Sequence, residues 1–402
     1  MSHTTPTVIY LSYDGLTDPL GQSQILPYLQ GLAAAGYRFC VISAEKPEAY
    51  RLRSDNIRAQ LGAHIEWYPV FYHKSPPVLS TLWDLNRMWR QLRRLIHQKQ
   101  TALIHCRSYP VSLLGLRAKR RFGLPFIFDM RGFWADERVE GGLWPLKSPV
   151  FRRIYRYFKA KEQQYLQESA HTISLTHNAA EEIRRWQLPR LSPITVIPCC
   201  VDTTLFCPAV GVSTAKPYAL AYLGSLGTWY MLPEMLDFFV CLRQSYPQAR
   251  FLFITRDAPS LVYQAAEARQ IPAEALTVVA AERHEVPHYL AQAQASVFFI
   301  RPTFSKKASS ATKLGELLAM GIPVIGNADI GDQGLILPQA GAMVQAFNQA
   351  EYRRVVAQWP QLMALQPEEL RTLGLRYFSL QEGISRYEAV YAAALKNLRQ
   401  GK

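Results

Sequence analysis

Lys313 and Glu316 stand three residues apart in the run Ser309-Ser310-Ala311-Thr312-Lys313-Leu314-Gly315-Glu316-Leu317-Leu318. At that spacing a cation and an acid share one side of a helix. Ser309 and Ser310 are expected to cap that helix, Leu314, Leu317 and Leu318 to give it an apolar face, and Gly321 with Pro323 to end it. Lys313 then falls in the first turn, where the positive end of the macrodipole disfavours a cation unless an anion is bound beside it. A phosphate group resolves the conflict. The competing reading is a solvated ion pair, but lysine ahead of glutamate is the weaker orientation and contributes only ~0.2–0.5 kcal/mol even when well placed.

A second concentration of reactive side chains is Asp129-Met130-Arg131-Gly132-Phe133-Trp134-Ala135-Asp136-Glu137-Arg138-Val139-Glu140, with four acids and two arginines. It follows a short apolar run and reads as a loop at the carboxyl end of a strand. Charge density beside a sheet edge is where proton transfer and charge stabilisation are usually placed, which makes Asp129, Arg131, Asp136 and Glu137 catalytic candidates. The alternative is an Asp–Arg network that anchors the loop. The six cysteines, Cys199 and Cys200 among them, show neither zinc spacing nor the density of a disulfide scaffold. They read as reduced, mostly buried thiols, and no metal site is expected.

The elements that must position these groups alternate along the chain. Residues 7–12 read as a buried strand, 13–21 as a turn-rich segment, 22–35 as a helix and 39–43 as a second strand. Helices over 52–61, 79–97 and 110–122 then alternate with strands over 65–70, 102–106 and 126–128. Strands separated by helices imply a parallel sheet, with ligands at the carboxyl ends of its strands. The first turn lacks the tight G-x-G-x-x-G spacing, so a nicotinamide or flavin site is weakly supported. Residues 209–217 are small, polar and turn-prone, which marks a linker. A second series begins with a strand over 218–223 and the loop Gly224-Ser225-Leu226-Gly227-Thr228, whose amides can approach a phosphate or sugar without side-chain obstruction. The expected division is 1–208, 209–375 and a last helix over 376–402.

A chain of 402 residues suffices for two domains with their own cores, and 49% hydrophobic content fits a soluble globular protein. No apolar run approaches the ~18–20 residues that span a bilayer, and residues 1–6 lack the blocks of a signal peptide, so a cytoplasmic protein is expected. The formal charge of +14 favours polyanions, anionic lipid or anionic small molecules. No helix-turn-helix, zinc-finger or aromatic–basic strand signature supports nucleic acid as the partner. The basic and apolar residues of 87–99 and 152–161 suit a membrane interface. Equally, the apolar stripe of the first stretch faces the sheet and its arginines face water.

The run from Ser309 to Ile325 resembles the donor-site signature of the retaining nucleotide-sugar glycosyltransferases of the group 1 family (family 4). The resemblance covers nearly the whole chain and is strongest from Tyr218 to Asn327. It implies an α/β GT-B fold, two Rossmann-like domains with parallel sheets facing across a cleft. It also implies transfer of a hexosyl group from a UDP- or GDP-sugar to a hydroxyl of an envelope polysaccharide or lipid-linked glycan, with no metal and no further cofactor. On that resemblance Ser309, Ser310, Thr312 and Lys313 hold the diphosphate, with Lys313 also a catalytic candidate that stabilises it as it departs, Glu316 holds the ribose, and Gly224, Ser225, Gly227 and Thr228 are further donor-binding candidates. Relatives place an Arg and a Lys in this glycine loop and this chain has neither, so Arg256, Arg301 and Lys306 or Lys307 are expected to help, with Arg283 beside the base. Ala308 stands where many members carry an earlier Glu, and Ala311 where the Ser-Pro-Thr-Lys branch has proline.

In the first domain the resemblance implies that Asp14, Gly15, Asp18, Gly21, Gln22 and Gln24 hold the acceptor; the alternative is that Asp18 and Gly21 only shape a turn. It further implies a last helix that crosses back to the first domain, and the basic surfaces suggest an enzyme peripheral at the inner face of the cell membrane. Two other functions stay open, a nucleotide-sugar epimerase of the same fold and a non-catalytic nucleotide-sugar-binding protein.

Overall fold

The alternation of strand and helix builds two compact units, one of residues up to Pro198 together with those from Leu380 onward, the other Cys199–Ser379. The computed structural model describes residues 7–76, 78–208 and 216–400. The expected linker over 209–217 and the N-terminal residues 1–6 thus lie wholly or largely outside the described residues.

In the first unit β1 (Thr7–Ser12), β2 (Arg38–Glu45), β3 (Ile65–Phe71), β4 (Thr101–Arg107), β5 (Phe126–Asp129), β6 (His171–Ser174) and β7 (Ile194–Val196) form one parallel sheet in the order β3-β2-β1-β4-β5-β6-β7. The second unit repeats the plan with β8 (Tyr218–Leu223), β9 (Phe251–Ile254), β10 (Leu276–Val279), β11 (Ala293–Val297), β12 (Val324–Asn327) and β13 (Gly341–Val344), ordered β10-β9-β8-β11-β12-β13. Both are Rossmann-like. Their strand order reverses at β1/β4 and at β8/β11, and the carboxyl ends at such a reversal form a crevice that takes ligands. Central strands such as β8 and β9 are apolar along most of their length because helices cover both faces.

Four expectations change. The helix expected over 22–35 is two, Pro19–Gln24 and Leu26–Ala34, since Pro27 has no N–H to continue the first. The segment 129–142 is not loop throughout but contains the helix Trp134–Glu140. The unit boundary falls at Pro198/Cys199 rather than 208/209, because the following residues are tied to the second unit. Val201 N donates to Phe378 O (2.8 Å), Arg371 donates to Thr203 O (3.1 Å) and Phe206 O (2.9 Å), and Phe206 is buried in that core. The last helix is Leu380–Gln400, and it packs on the first unit: Tyr387, Val390 and Tyr391 are buried, and Ile384 lies so close to Gly31 that a Cβ there would meet it at 2.1 Å.

The helix Leu79–Gln98 decides the two readings of its basic stretch. Leu85, Met88, Trp89, Leu92 and Leu95 are buried while Arg87, Arg90, Arg93 and Arg94 are exposed, so the apolar stripe of the basic stretch is covered by protein, whereas Leu79, Leu82 and Trp83 at the start of the helix are exposed. Among the described residues no helix is long and apolar enough to cross a bilayer.

Candidate active sites

Strand β8 ends at Leu223 and runs into Gly224, whose φ of +110° is reached easily only by glycine. A Cβ on Gly224 would lie 3.0 Å from Lys313 Nζ, so the glycine loop and the lysine meet at the carboxyl edge of the second sheet. Lys313 is the second residue of the helix Thr312–Ala319, whose N-cap is Ala311 and whose first turn carries no side-chain cap. The expected caps fall one and two residues early. The short 3-10 helix Phe304–Ala308 takes up the preceding chain, Ser309 N donates to Lys306 O (3.0 Å), and Ser310 Oγ accepts from Cys199 N (3.0 Å).

Lys313 and Glu316 are 7% and 6% exposed, which excludes a solvated ion pair. Nor do they bond to each other. Lys313 Nζ donates to the Tyr222 hydroxyl (3.2 Å) and sits 3.5 Å from the centroid of the Tyr230 ring, with Tyr222 and Phe298 at 4.3 and 5.6 Å. Glu316 instead accepts from Arg283 Nη1 (3.0 Å). Burial pushes the lysine well below the usual ammonium range, against a weaker opposing pull from Glu316. Burial raises Glu316, and the Arg283 guanidinium works against it. An ammonium enclosed by ring faces and one hydroxyl is short of negative charge.

The glycine loop is braced from several sides. The Tyr222 hydroxyl donates to Ser225 O, Leu226 N donates to the Asp257 carboxylate, and Gly227 O accepts from Trp229 N (2.6 Å). Thr228 has a φ of +39°, and its carbonyl accepts from Arg301 Nη2 (2.6 Å). Lys306 Nζ and the Arg301 guanidinium lie 3.6 and 5.2 Å from the Trp229 ring. Arg256 is exposed and pairs with Glu282 (2.6 Å). The loop, Thr312, Lys313, Glu316 and Arg283 therefore share one end of the sheet, while Arg301 is engaged with the loop's own backbone. Tyr222, Tyr230, Trp229 and Asp257 were not foreseen; the tyrosines flanking the glycine loop were the available signal.

In the first unit Asp129 ends β5 and is fully buried. Its Oδ2 accepts from the Tyr387 hydroxyl (3.1 Å) and lies 3.3 Å from His105 Nε2, while Arg107 and Arg131 guanidinium nitrogens stand 3.9 and 3.8 Å from the carboxylate. Burial opposes ionisation, but Arg131, His105 and Arg107 together hold the carboxyl at about 2. His105 stacks on Tyr10 (4.4 Å), its Nδ1 lies 2.8 Å from the Tyr391 hydroxyl, and burial lowers its pKa. Asp129 is thus a fixed carboxylate.

The four catalytic candidates of the first unit do not form one constellation. Asp136 accepts from the Tyr155 hydroxyl (2.8 Å) and from Lys159 (2.9 Å), which also binds Glu162 (2.5 Å), a network between the helices Trp134–Glu140 and Pro149–Glu168. Glu137 sits within the shorter helix, half-buried. Arg131 stays with Asp129, its φ at +56°.

Among the acceptor candidates, the first βα loop is organised by a residue outside the expected set, Glu45 at the end of β2. Its buried carboxylate accepts from Leu16 N (2.7 Å), Thr17 N (3.1 Å) and Thr17 Oγ1 (2.5 Å). A Cβ on Gly15 would sit 2.5 Å from that carboxylate and one on Gly21 would sit 2.0 Å from Gly15 O, so both glycines serve close packing. Asp18 pairs with Lys46 (3.1 Å), Gln22 donates to Thr17 O (3.1 Å), and Gln24 is buried. Asp14 differs. Its half-exposed side chain lies 3.6 Å from Arg107 Nε and lines a cavity of ≈ 280 Å³ with Tyr13, Tyr72, Ser108, Trp134 and Arg138. Among the described residues no cluster of His, Cys, Asp or Glu is placed to hold a metal ion.

Residues 24–205 match the family described as Glycosyltransferase Family 4. No curated protein matches the chain in sequence. Among solved structures, sucrose-phosphate synthase from Thermosynechococcus elongatus is similar with a TM-score of 0.72 at 14% identity, over 99% of this chain and 100% of that one. HepE from Anabaena, solved in complex with UDP and glucose, gives 0.66 at 12% over 96% and 99%. WaaG, a glycosyltransferase involved in lipopolysaccharide biosynthesis, gives 0.61 at 16% over 93% and 97%. At such identities the likeness is one of fold, and the fold is GT-B, two parallel-sheet Rossmann-like domains. Family match and fold together support a glycosyltransferase of GT-B type.

Proposed function

We propose that the chain is a retaining hexosyltransferase that moves a sugar from a UDP- or GDP-sugar to a hydroxyl of an envelope polysaccharide or lipid-linked glycan, peripheral at the inner face of the cell membrane. One observation carries the reading: a buried lysine, Lys313, in the first turn of a helix beneath a glycine loop, with ring faces and a hydroxyl as its immediate neighbours. A diphosphate seated between the first-turn N–H groups and the Gly224–Thr228 amides supplies the missing negative charge. As the bond from sugar to diphosphate breaks, charge develops on the leaving oxygen, and Lys313 with the helix dipole stabilises it where it appears. In this design no metal is needed to neutralise the leaving group. Glu316, oriented by Arg283, accepts from the ribose hydroxyls, as the family resemblance implies. Asp14, Asp129 and Arg131 are the polar groups of the first unit assigned to the acceptor.

The likeness to HepE, solved with UDP, makes UDP-sugars the first donors to test. A thermal-shift screen of UDP, GDP, ADP and their sugar conjugates decides: a ligand at a hundred times its dissociation constant stabilises the fold by ~2.7 kcal/mol. Silence from every nucleotide would refute the donor site. Proton NMR of the first product formed then reads the anomeric configuration, and inversion would refute retention.

A further inference from the structure

The cavity beside Asp14 has a composition unlike that of a site built for sugar alone. It is lined by Tyr13, Tyr72, Val78 and Leu82 and by Trp134, Trp144, Phe151, Ile154 and Phe158, with Asp14, Thr81, Ser108 and Arg138 as polar groups. The aromatic wall is rigid: Trp134 packs on Trp144 (5.1 Å) and Phe158 (4.9 Å), and Trp144 on Phe158 (5.9 Å). Tyr13 and Asp14 follow β1, Tyr72 follows β3 and Ser108 follows β4, so the cavity opens at the carboxyl edge of the first sheet, where ligands of parallel sheets sit.

Its rim is also apolar. Leu79 is 63% exposed, Trp83 58%, Leu143 60% and Val150 59%, on the same two stretches that supply the walls. Such a rim around an apolar cavity marks a binding surface rather than scattered surface leucines. Lys74, Lys147, Arg152, Arg153 and Arg156, all exposed, lie on the same stretches. Exposed apolar and cationic side chains thus share these stretches, the composition of an interfacial anchor on anionic lipid.

We infer that this cavity takes the apolar chain of a lipid-linked acceptor, an isoprenoid or acyl chain delivered from an anionic bilayer on which the Leu79–Trp83 and Leu143–Val150 rim rests. The inference rests on the transferase reading and narrows its acceptor. At ≈ 280 Å³ the cavity is at the small end of ligand sites and holds only a segment of such a chain, which is why the rim must continue the apolar path. Asp14 and Arg138 are the charged groups of its lining and are assigned to the group that receives the sugar.

The test uses the full chain and vesicles of phosphatidylcholine with 30% phosphatidylglycerol whose acyl chains are brominated, a contact quencher of tryptophan. Brominated vesicles should quench the intrinsic fluorescence and unbrominated ones should not. Farnesyl phosphate, which enters the cavity without a bilayer, should be bound by the free protein and raise its melting temperature. The double variant Leu79→Asp/Leu143→Asp, at two positions already in solvent, should fold normally, keep its melting-temperature response to nucleotide and lose at least tenfold in vesicle affinity. Wild-type vesicle binding by that variant, or no difference between brominated and plain lipid, overturns the proposal. Absence of farnesyl phosphate binding does so too. Transfer to a soluble glycan with no lipid binding would overturn the proposal and leave the transferase standing; lipid binding with no transfer to any acceptor would do the reverse.

Discussion

Lys313→Met should make the unliganded protein more stable while removing its chemistry. Lysine at this position keeps an ammonium away from water without a bonded carboxylate, its Nζ facing Tyr222, Tyr230 and Phe298. Methionine has nearly the same length, and its thioether is attracted to aromatic rings by about 0.3–1.5 kcal/mol. The hydrogen bond lost leaves no orphan donor, since the Tyr222 hydroxyl still donates to Ser225 O. Replacing buried charge by an apolar side chain of similar volume is often stabilising by about 1–4 kcal/mol, and here about 1–2 kcal/mol is expected. For a domain of this size that is a rise of roughly 2–8 °C in melting temperature.

The pH dependence makes the test sharper. Burial holds the folded-state pKa of Lys313 well below its ordinary value, so the unfolded chain binds the extra proton between the two. The penalty is therefore present in full below the folded pKa and disappears as pH rises to the ordinary value near ~10.4. Scanning calorimetry of both proteins from pH 6 to 10.5 should show the variant's advantage shrinking upward. Transfer by the variant should fall by about 10²–10³-fold, as when one charge-stabilising donor is removed elsewhere. A variant less stable than the wild type at pH 7, or a constant gap across the range, would refute the reasoning.

Glu316→Gln should weaken nucleotide binding by ~1.5–3 kcal/mol with a smaller change in turnover, because the ribose bond is made equally in ground and transition states; an unchanged calorimetric dissociation constant would exclude the assignment. Gly224→Ala forces a side chain into φ +110° and against Lys313 Nζ, so a loss of ~1–3 kcal/mol in stability and a weaker nucleotide response are expected, and wild-type melting would contradict it. Asp129, held at about 2 against ~3.9 unfolded, contributes stability above its ordinary pKa that is lost as pH falls through about 2. Asp129→Asn should thus cost about 2–3 kcal/mol at pH 7 and flatten the acid limb; parallel acid-denaturation curves for the two proteins would count against this.

The sheets and the Lys313 helix were legible because their signals are local: apolar runs four to six residues long, and a lysine where a helix dipole resists one. The order of strands was not legible in the same way, because right-handed connections allow more than one doubly wound order. What escaped was assembled from far apart. Asp129 takes His105 from 24 residues before it and Tyr387 from 258 after it, and no spacing rule links them. Glu45 looked like an ordinary acid at a strand end, yet it holds the whole first loop. The N-cap failed for a different reason: two serines advertise a cap, but the preceding 3-10 turn and Cys199 N claim them first.

The two ends of the second unit lie side by side, Val201 N donating to Phe378 O and Val201 bridging to Ser379. The second unit is therefore closed on itself, and the first unit is completed only when residues 380–400, made after it, dock. Until then the first unit holds a carboxylate and an imidazole inside its sheet without the tyrosines that bond to them. Vectorial synthesis usually completes the N-terminal domain first. Here the N-terminal half cannot be completed first, because the last helix supplies part of its interior.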